Sequence, residues 1–222
     1  MSGSKFNYTD ALRTLCFDIC SKIREFRNVD VSQIGFSLSL ARNTSSRYGN
    51  WASVTPLRFE NGSPVVVRMR RVPVLENGVR IFATQRLYFR APPVVLNDGR
   101  PALYVFNVMA PRFVNLSVIE KLDTVMHELY HIDPNFNGAA RRFPGRNWQH
   151  GNMKAYEAKA AGFRKEWLGL EPDPRLFDFL RYSMNDFRMM NVQLCGFRFS
   201  KIPLVRISER EAFQLDPSLS LR

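Results

Sequence analysis

The sequence predicts an α+β fold, in which one helix and a largely antiparallel sheet precede a helical second half. Near the N-terminus, and again after residue 117, apolar residues recur at steps of three and four, as in helices that pack on a core. Between these segments the chain is rich in β-branched and aromatic residues separated by turn signals. Hydrophobic residues make up 45% of the 222 residues, so the chain can bury a core, and we expect one domain over residues 1–222.

The first half, residues 1–116, is predicted to contain one helix, over residues 9–26, and about four to six strands. The expected strands cover the following ranges: 33–41, 52–59, 65–74, 79–90 and 102–109. Pro56 restricts its strand to a sheet edge, because proline cannot donate to a strand ladder. The dipeptide Asn77-Gly78 between the third and fourth strands is a strong hairpin signal.

Residues 117–190 are predicted to be helical, and residues 191–222 to form a C-terminal extension with one or two strands. Ser117 and Glu120 have the spacing of a capping box, in which each side chain bonds the backbone of the other residue. Pro174 suits the first turn of a helix. The expected helices cover the following ranges: 118–132, 152–168 and 174–190.

The composition is strongly basic. Lys and Arg number 32 against 20 Asp and Glu, which gives a net charge of +12, and 25 of the basic residues are Arg. Such a charge favours contact with polyanions, so nucleic acid bound through the basic surface is a predicted partner. The arginines are spread along the whole chain, however, and a solvated basic surface would have the same composition.

The sequence also predicts a cytoplasmic protein. The N-terminal residues contain no apolar leader segment, and no apolar run approaches the roughly 20 residues that span a bilayer. Three cysteines without a framework spacing do not suggest a secreted, disulfide-linked domain.

The capped helix contains the sequence His-Glu-Leu-Tyr-His from His127 to His131, an H-E-x-x-H motif. Residues four apart share one helix face, so both imidazoles can reach one metal ion. Glu128, the next residue round the helix, can reach a water bound to that ion. Because Zn²⁺ lowers the pKa of bound water to about 7, a glutamate there can take its proton. The motif predicts one Zn²⁺ ion, with Glu128 as general base.

A catalytic zinc ion needs a third protein ligand and an open position. His150, the one remaining histidine, lies at the start of the next predicted helix and is the first candidate. Glu157, on that same helix, is the alternative ligand. The loop carboxylate of Asp133 is a third candidate.

Other side chains near the motif could contact a substrate. Tyr130 and Tyr156 could stabilise the oxyanion of a tetrahedral intermediate, although tyrosines on such helices are more often core residues. Arg141, Arg142 and Arg146 flank the expected cleft and could hold a carboxylate or a phosphate, although solvated loop positions would also explain them.

Residues 127–138 read HELYHIDPNFNG and are followed by an arginine pair. This segment resembles the zinc metallopeptidases of phages, bacteria and archaea, whose motif is similar to HELxHIxPxFxG followed by basic residues. More distantly, the motif together with His150-Gly151 resembles the SprT-like proteases, in which a third histidine opens the next helix. Phe143 stands where some relatives have a histidine, and the lone Cys195 cannot build the cysteine-rich ribbon of many SprT-like proteases.

The resemblance implies a zincin-like core, with an antiparallel sheet, a metal helix and a second helix that supplies the last ligand. It implies hydrolysis of a protein or peptide substrate, with His127, His131 and His150 as zinc ligands and Glu128 as general base. We therefore predict a zinc metallopeptidase, which could act on proteins associated with nucleic acid. The alternative is a basic DNA- or RNA-binding protein with a structural zinc site or vestigial protease activity.

Overall fold

The computed structural model describes residues 4–40, 50–145, 148–200 and 202–221. Within these ranges the strands are, in chain order, β1 (Ser4–Asn7), β2 (Ile34–Leu40), β3 (Ala52–Pro56), β4 (Val65–Glu76), β5 (Val79–Arg90), β6 (Tyr104–Ala110), β7 (Val192–Cys195) and β8 (Val205–Ile207). The α-helices of these ranges are α1 (Tyr8–Lys22), α2 (Val118–Tyr130), α3 (Met153–Gly169), α4 (Met184–Met189) and α5 (Glu209–Leu215). The predicted α+β class is confirmed, and residue 41 of the strand predicted over 33–41 lies outside the described residues.

The strands form three sheets. In the first sheet β6 is central, with β2 parallel on one side and β3 antiparallel on the other, so β3 lies at an edge, as Pro56 predicted. The prediction of one largely antiparallel sheet is wrong, because β4, β5 and β8 form a separate sheet. β6 is mostly buried on both faces, which is typical of a central strand with a parallel neighbour. Its apolar sequence indicates this burial but does not identify the strands beside it.

The predicted hairpin between β4 and β5 is confirmed. The strands pair from Val65 with Arg90 to Glu76 with Val79, which leaves a two-residue turn. Both turn residues have positive φ, 51° for Asn77 and 77° for Gly78, as a tight hairpin turn requires.

Three of the predicted helices lie close to their expected bounds. The capping box of α2 is present, since the Glu120 amide donates to the Ser117 side chain and the Ser117 amide donates to that of Glu120. The predicted helix over 174–190 is wrong. Two short 3₁₀ turns replace its first half, and α4 begins only after a second capping box, between Ser183 and Asp186.

A buried lysine lies at this interruption. Lys121, on α2, is only 1% exposed, and its Nζ donates to the carbonyls of Leu180 at 2.7 Å and Tyr182 at 3.1 Å. Lys121 therefore fixes α2 against the segment in which the predicted helix is broken.

The main core lies between the first sheet and helices α1, α2 and α3. A second, smaller core packs the base of the β4–β5 hairpin against α5 and the chain that follows it, through Val65, Tyr88, Ala212 and Leu219. Neither α5 nor the parallel pair formed by β1 and β7 was predicted from the sequence. The prediction of one domain stays a prediction. Among the described residues, no helix has the length and apolarity to cross a lipid bilayer.

Candidate metal centre

Helix α2 presents His127 and His131 on one face. The opposite face is apolar and fully buried, through Leu122, Val125 and Leu129, which fixes the rotation of the helix about its axis. The Nε2 atoms of the two histidines lie 3.2 Å apart. The predicted (i, i+4) pair is therefore formed, with both imidazole nitrogens turned to one point.

His150 reaches the same point from the loop that connects α2 to α3. Its ring centroid lies 5.3 Å from that of His127 and 4.7 Å from that of His131. One nitrogen of each of the three imidazoles lies within 4.8 Å of the others. The three histidines therefore lie close enough to bind one metal ion.

The connecting loop is fixed by backbone contacts on both sides. The Arg141 amide donates to the carbonyl of His131 at 2.7 Å, and the Tyr104 hydroxyl donates to the carbonyl of Ala139 at 2.8 Å. Gly138 has φ of 86°, and a Cβ at this position would collide with the side chain of Arg58. A residue with a side chain would therefore displace the loop that carries His150.

A second glycine shapes the entry into α3. Gly151 has φ of 59°, and a Cβ there would press on the Cβ of Phe143 at 3.2 Å. Asn152 follows and caps α3, since its side chain accepts from the Ala155 amide. The turn at Gly151 thus places His150 at the start of α3, facing back towards α2.

Glu128 lies beside the histidines in a buried position. The residue is 8% exposed, and its Oε2 accepts a hydrogen bond from the Val54 amide on β3 at 2.8 Å. Burial raises the pKa of this carboxyl to about 7, and the bond from Val54 opposes the rise. Oε1 makes no hydrogen bond to the described residues, so the group has one fixed oxygen and one available oxygen.

The histidines are held in their neutral form. Burial, together with the smaller effect of the neighbouring imidazoles, lowers the pKa of His127 to about 4 and that of His131 to about 3. Burial also lowers the pKa of His150, against the opposing effect of nearby Glu157. Neutral imidazoles keep the lone pairs that a metal ion requires.

Tyr156 lies beneath the three histidines and packs against all of them. Its ring centroid is 4.6 Å from that of His127, 5.1 Å from that of His131 and 4.9 Å from that of His150. Its hydroxyl donates to the backbone carbonyl of His127 at 3.0 Å. Tyr156 is therefore engaged as a support of the metal helix, and its predicted contact with an oxyanion stays a prediction.

The arginine candidates differ in their surroundings. Arg141 is buried: Nη1 contacts Glu25 at 2.8 Å, Nε donates to the carbonyl of Ile132, and the guanidinium covers the Tyr130 ring at 4.2 Å. Both Arg141 and Tyr130 are thus occupied by internal contacts. Arg142 is exposed, where it pairs with Glu60 at 2.8 Å and lies over the Trp148 ring.

The remaining candidates lie outside the histidine group. Glu157 is exposed on α3, and neither it nor Asp133 is among the described side chains whose ligand atoms converge. The Asp133 carboxylate instead accepts from the Asn135 amide at 2.9 Å. Arg146 lies outside the described residues.

A cleft of about 910 Å³ adjoins the loop that carries His150. One wall is the loop itself, and the other comes from the end of β3, the start of β4 and the residues after α5. Its lining combines charged side chains of both signs with aromatic ones: the arginines are Arg58, Arg141 and Arg142, the carboxylates are Glu60, Asp133 and Asp216, and the aromatic residues are Phe59, Phe143 and Trp148.

Two contributors to the site were not predicted from the sequence. The backbone amide of Val54 donates to Glu128, and the Tyr104 hydroxyl, on β6 of the first sheet, anchors the loop that carries His150. A backbone donor has no sequence signal of its own. Its position depends on the pairing of β3 with β6, which is long-range in the sequence.

No family model, curated protein or solved structure matches this chain. The resemblance of about residues 100–160 to metallopeptidases therefore stays a prediction from the sequence.

Proposed function

We propose that this protein is a zinc metallopeptidase with a zincin-like arrangement of metal helix and sheet. The observation that carries the proposal is the convergence of His127, His131 and His150 beside the buried carboxylate of Glu128. Three neutral imidazoles next to a carboxylate with a raised pKa form the donor set and the base of a hydrolytic metal site.

The donor set favours zinc over harder cations. Imidazole nitrogens suit Zn²⁺, whereas Mg²⁺ and Ca²⁺ prefer carboxylate and carbonyl oxygens. Within the described part of the chain, His127, His131 and His150 would hold the ion, which is one protein ligand fewer than a closed structural zinc site has. A zinc ion held there supplies a Lewis acid and lowers the pKa of coordinated water to about 7.

Glu128 moves the proton in the proposed reaction. Its Oε2 is fixed by the Val54 amide, so Oε1 is the oxygen that accepts the proton of the attacking water. The same oxygen then donates the proton to the leaving amine nitrogen as the peptide bond breaks. The bond from Val54 limits rotation of the carboxyl group and keeps Oε1 in one position.

The cleft beside the loop that carries His150 is the proposed binding place of a peptide substrate. Its volume of about 910 Å³ lies towards the upper end of the range for ligand pockets, which suits a segment of polypeptide. Its lining residues include neither the three histidines nor Glu128, so a substrate held there would extend towards them past the loop. Phe59 and Trp148 offer aromatic surface, and we expect extended segments with apolar side chains to bind best.

The alternative, a nucleic-acid-binding protein with a structural zinc site, requires a different coordination. Structural zinc sites are closed by four protein ligands. The three-membered group among the described residues favours the open, hydrolytic site.

The proposal is tested with Glu128→Gln, measured beside the wild type and Glu157→Gln. Wild-type protein should contain one zinc ion per chain by elemental analysis and cleave an unfolded protein such as casein, with loss of activity on chelation. Glu128→Gln should keep its zinc and lose activity by roughly 10²–10⁴-fold, because general-base catalysis contributes about that factor. Glu157→Gln, an exposed change of the same chemistry, should retain both.

Two outcomes contradict the proposal. Full metal-dependent proteolysis by Glu128→Gln excludes this residue as the base. Wild-type protein that binds zinc and cleaves no member of a panel of unfolded proteins favours the structural zinc site instead.

A further inference from the structure

The outer part of the β4–β5 hairpin, residues 68–87, is here called the arm. Its surface is both exposed and rich in arginine. Its base is fixed by the small core with α5 and by an ion pair of Arg90 with Glu211 at 3.4 Å. Beyond that base the residues are exposed or half-exposed on both faces. Leu75 is 78% exposed and Phe82 is 67% exposed.

The arm is strongly basic. It contains five arginines and one acidic residue, Glu76 near the turn; the arginines are Arg68, Arg70, Arg71, Arg80 and Arg86. Within the described ranges, Arg68, Arg70, Arg71 and Arg80 make no ion pair with a carboxylate of this protein. These charges are therefore available to an external anion.

The strand register alternates basic and apolar side chains along one face of the arm. Successive same-face pairs are Met69 with Arg86, Arg71 with Thr84, Pro73 with Phe82 and Leu75 with Arg80. Arg68 and Arg70 lie on the opposite face, where the Arg68 guanidinium covers the Phe89 ring at 5.2 Å. Both faces thus carry positive charge together with exposed apolar side chains, Leu75 and Phe82 on one face and Val79 on the other.

We propose that the arm binds double-stranded DNA by lying in the major groove. A two-stranded β-ribbon fits the B-form groove, which is about 12 Å wide, so arginines on its two faces can meet phosphates on both walls. Phe82 and Leu75 can then contact base edges such as the thymine methyl group. The major groove of duplex RNA is too deep and narrow for such entry.

Features of the arm oppose pairing with a second copy of the chain. β4 is an edge strand, and Pro73 removes one of its backbone donors. Arginines on both strands would bring like charges together in an edge-to-edge contact. The charge of the arm thus favours a polyanion, and this inference does not depend on the metal centre.

The test compares two triple variants that remove equal charge. Arg70→Gln/Arg71→Gln/Arg80→Gln alters the arm, and Arg24→Gln/Arg27→Gln/Arg188→Gln alters exposed arginines elsewhere. Binding to a fluorescent 30-base-pair DNA duplex is measured by anisotropy over a series of salt concentrations. Each phosphate contact adds about 0.9 to the slope of log K against log salt, so the arm variant should lose roughly 2–3 from that slope.

At 0.15 M salt, the arm variant should bind the duplex on the order of 100-fold more weakly, and the control variant should bind nearly as the wild type does. The corresponding triple Arg→Lys variant of the arm should keep the wild-type slope, because lysine retains the phosphate contacts. Absence of duplex binding by the wild type at low salt would overturn the proposal. Equal losses in the arm and control variants, or equally tight binding of duplex RNA or single-stranded DNA, would also overturn it. Peptidase activity should be unchanged in both triple variants, which separates this test from that of the metal centre.

Discussion

Helix α2 and the arm carry the most distinctive residues of the chain, and they are built in opposite ways. α2 is held by segments far away in the sequence: Glu128 binds the amide of Val54, and Lys121 binds the carbonyls of Leu180 and Tyr182. The arm is held by pairing between neighbouring strands and is exposed on both faces. The difference indicates that the geometry of the candidate metal centre depends on contacts between distant parts of the sequence, whereas the arm beyond its base depends on its own turn and register.

The largest expected effect is a loss of stability when a side chain is removed from the main core. Phe106, on the central strand β6, is fully buried and stacks on Phe36 with ring centroids 5.7 Å apart. Phe106→Ala should lower the free energy of unfolding by about 3–5 kcal/mol, because it leaves a cavity in the core. Urea denaturation measures the change, and a loss below 1 kcal/mol would show that the central sheet tolerates the cavity.

The next effect concerns the loop ligand. His150→Ala should weaken zinc binding by more than about 100-fold, since loss of an outer-shell partner alone costs about 10–100-fold. Glu157→Ala, one turn into α3, should leave zinc affinity close to that of the wild type. Competition with a chromophoric chelator measures both affinities. A larger loss of zinc affinity in Glu157→Ala than in His150→Ala would make Glu157 the third ligand.

A smaller effect is expected at the contact between α2 and the chain before α4. Lys121→Met should lower the free energy of unfolding by about 1–3 kcal/mol, because the carbonyls of Leu180 and Tyr182 lose their donor. The variant should still fold, and thermal unfolding followed by circular dichroism measures the loss. Equal stability of the two proteins would mean that the cost of burying the charge cancels the hydrogen bonds.

Lys121 should also make the free energy of unfolding depend on pH. Burial lowers its pKa to about 8 in the folded protein, against about 10.4 in an unfolded chain. The unfolded state therefore binds more protons between these two values, and the free energy of unfolding should rise with pH across this window. The stability difference between wild type and Lys121→Met should shift in favour of the wild type by on the order of 1–2 kcal/mol from about pH 7 to pH 10. A stability difference between the two proteins that does not change with pH contradicts the lowered pKa of Lys121.

The smallest effect is expected in the arm. Phe82→Ala makes the same change as Phe106→Ala, but at a position that is 67% exposed. The free energy of unfolding should change by less than about 0.5 kcal/mol, as for most surface substitutions. A loss comparable to that of Phe106→Ala would mean that the arm packs against another part of the protein, and the contrast between the two regions would not hold.

Local features of the fold were predictable from the sequence, and long-range ones were not. The Ser117–Glu120 capping box, the Asn77-Gly78 turn and the (i, i+4) histidines involve residues close together in the chain, so their geometry follows from local backbone rules. The parallel pairing of β2 with β6 has no such signal. The predicted helix over 174–190 was wrong: a second helix start, capped by Ser183 and Asp186, divides the segment, and the carbonyls before it accept from Lys121, which is far away in the sequence.

The residues of the candidate site also divide into those that local sequence predicts and those that depend on long-range contacts. His127, Glu128 and His131 follow from one motif, and His150 was favoured as the third ligand because it is the one other histidine. The backbone donor of Val54 could not be found, because an amide carries no residue identity. The structure also gives Tyr156 and Arg141 contacts within the protein, whereas their side-chain chemistry alone suggested contacts with substrate.

The parallel pair of β1 with β7 has a consequence for how the protein is made. Ser4 pairs with Val192 and Asn7 with Cys195, so the first described strand meets its partner only after nearly the whole chain has been synthesised. At about 5–20 residues per second, that interval is roughly 10–40 s on the ribosome. All three histidines of the candidate site are synthesised before β7. The segment that carries them is therefore complete while β1 still lacks the strand with which it pairs.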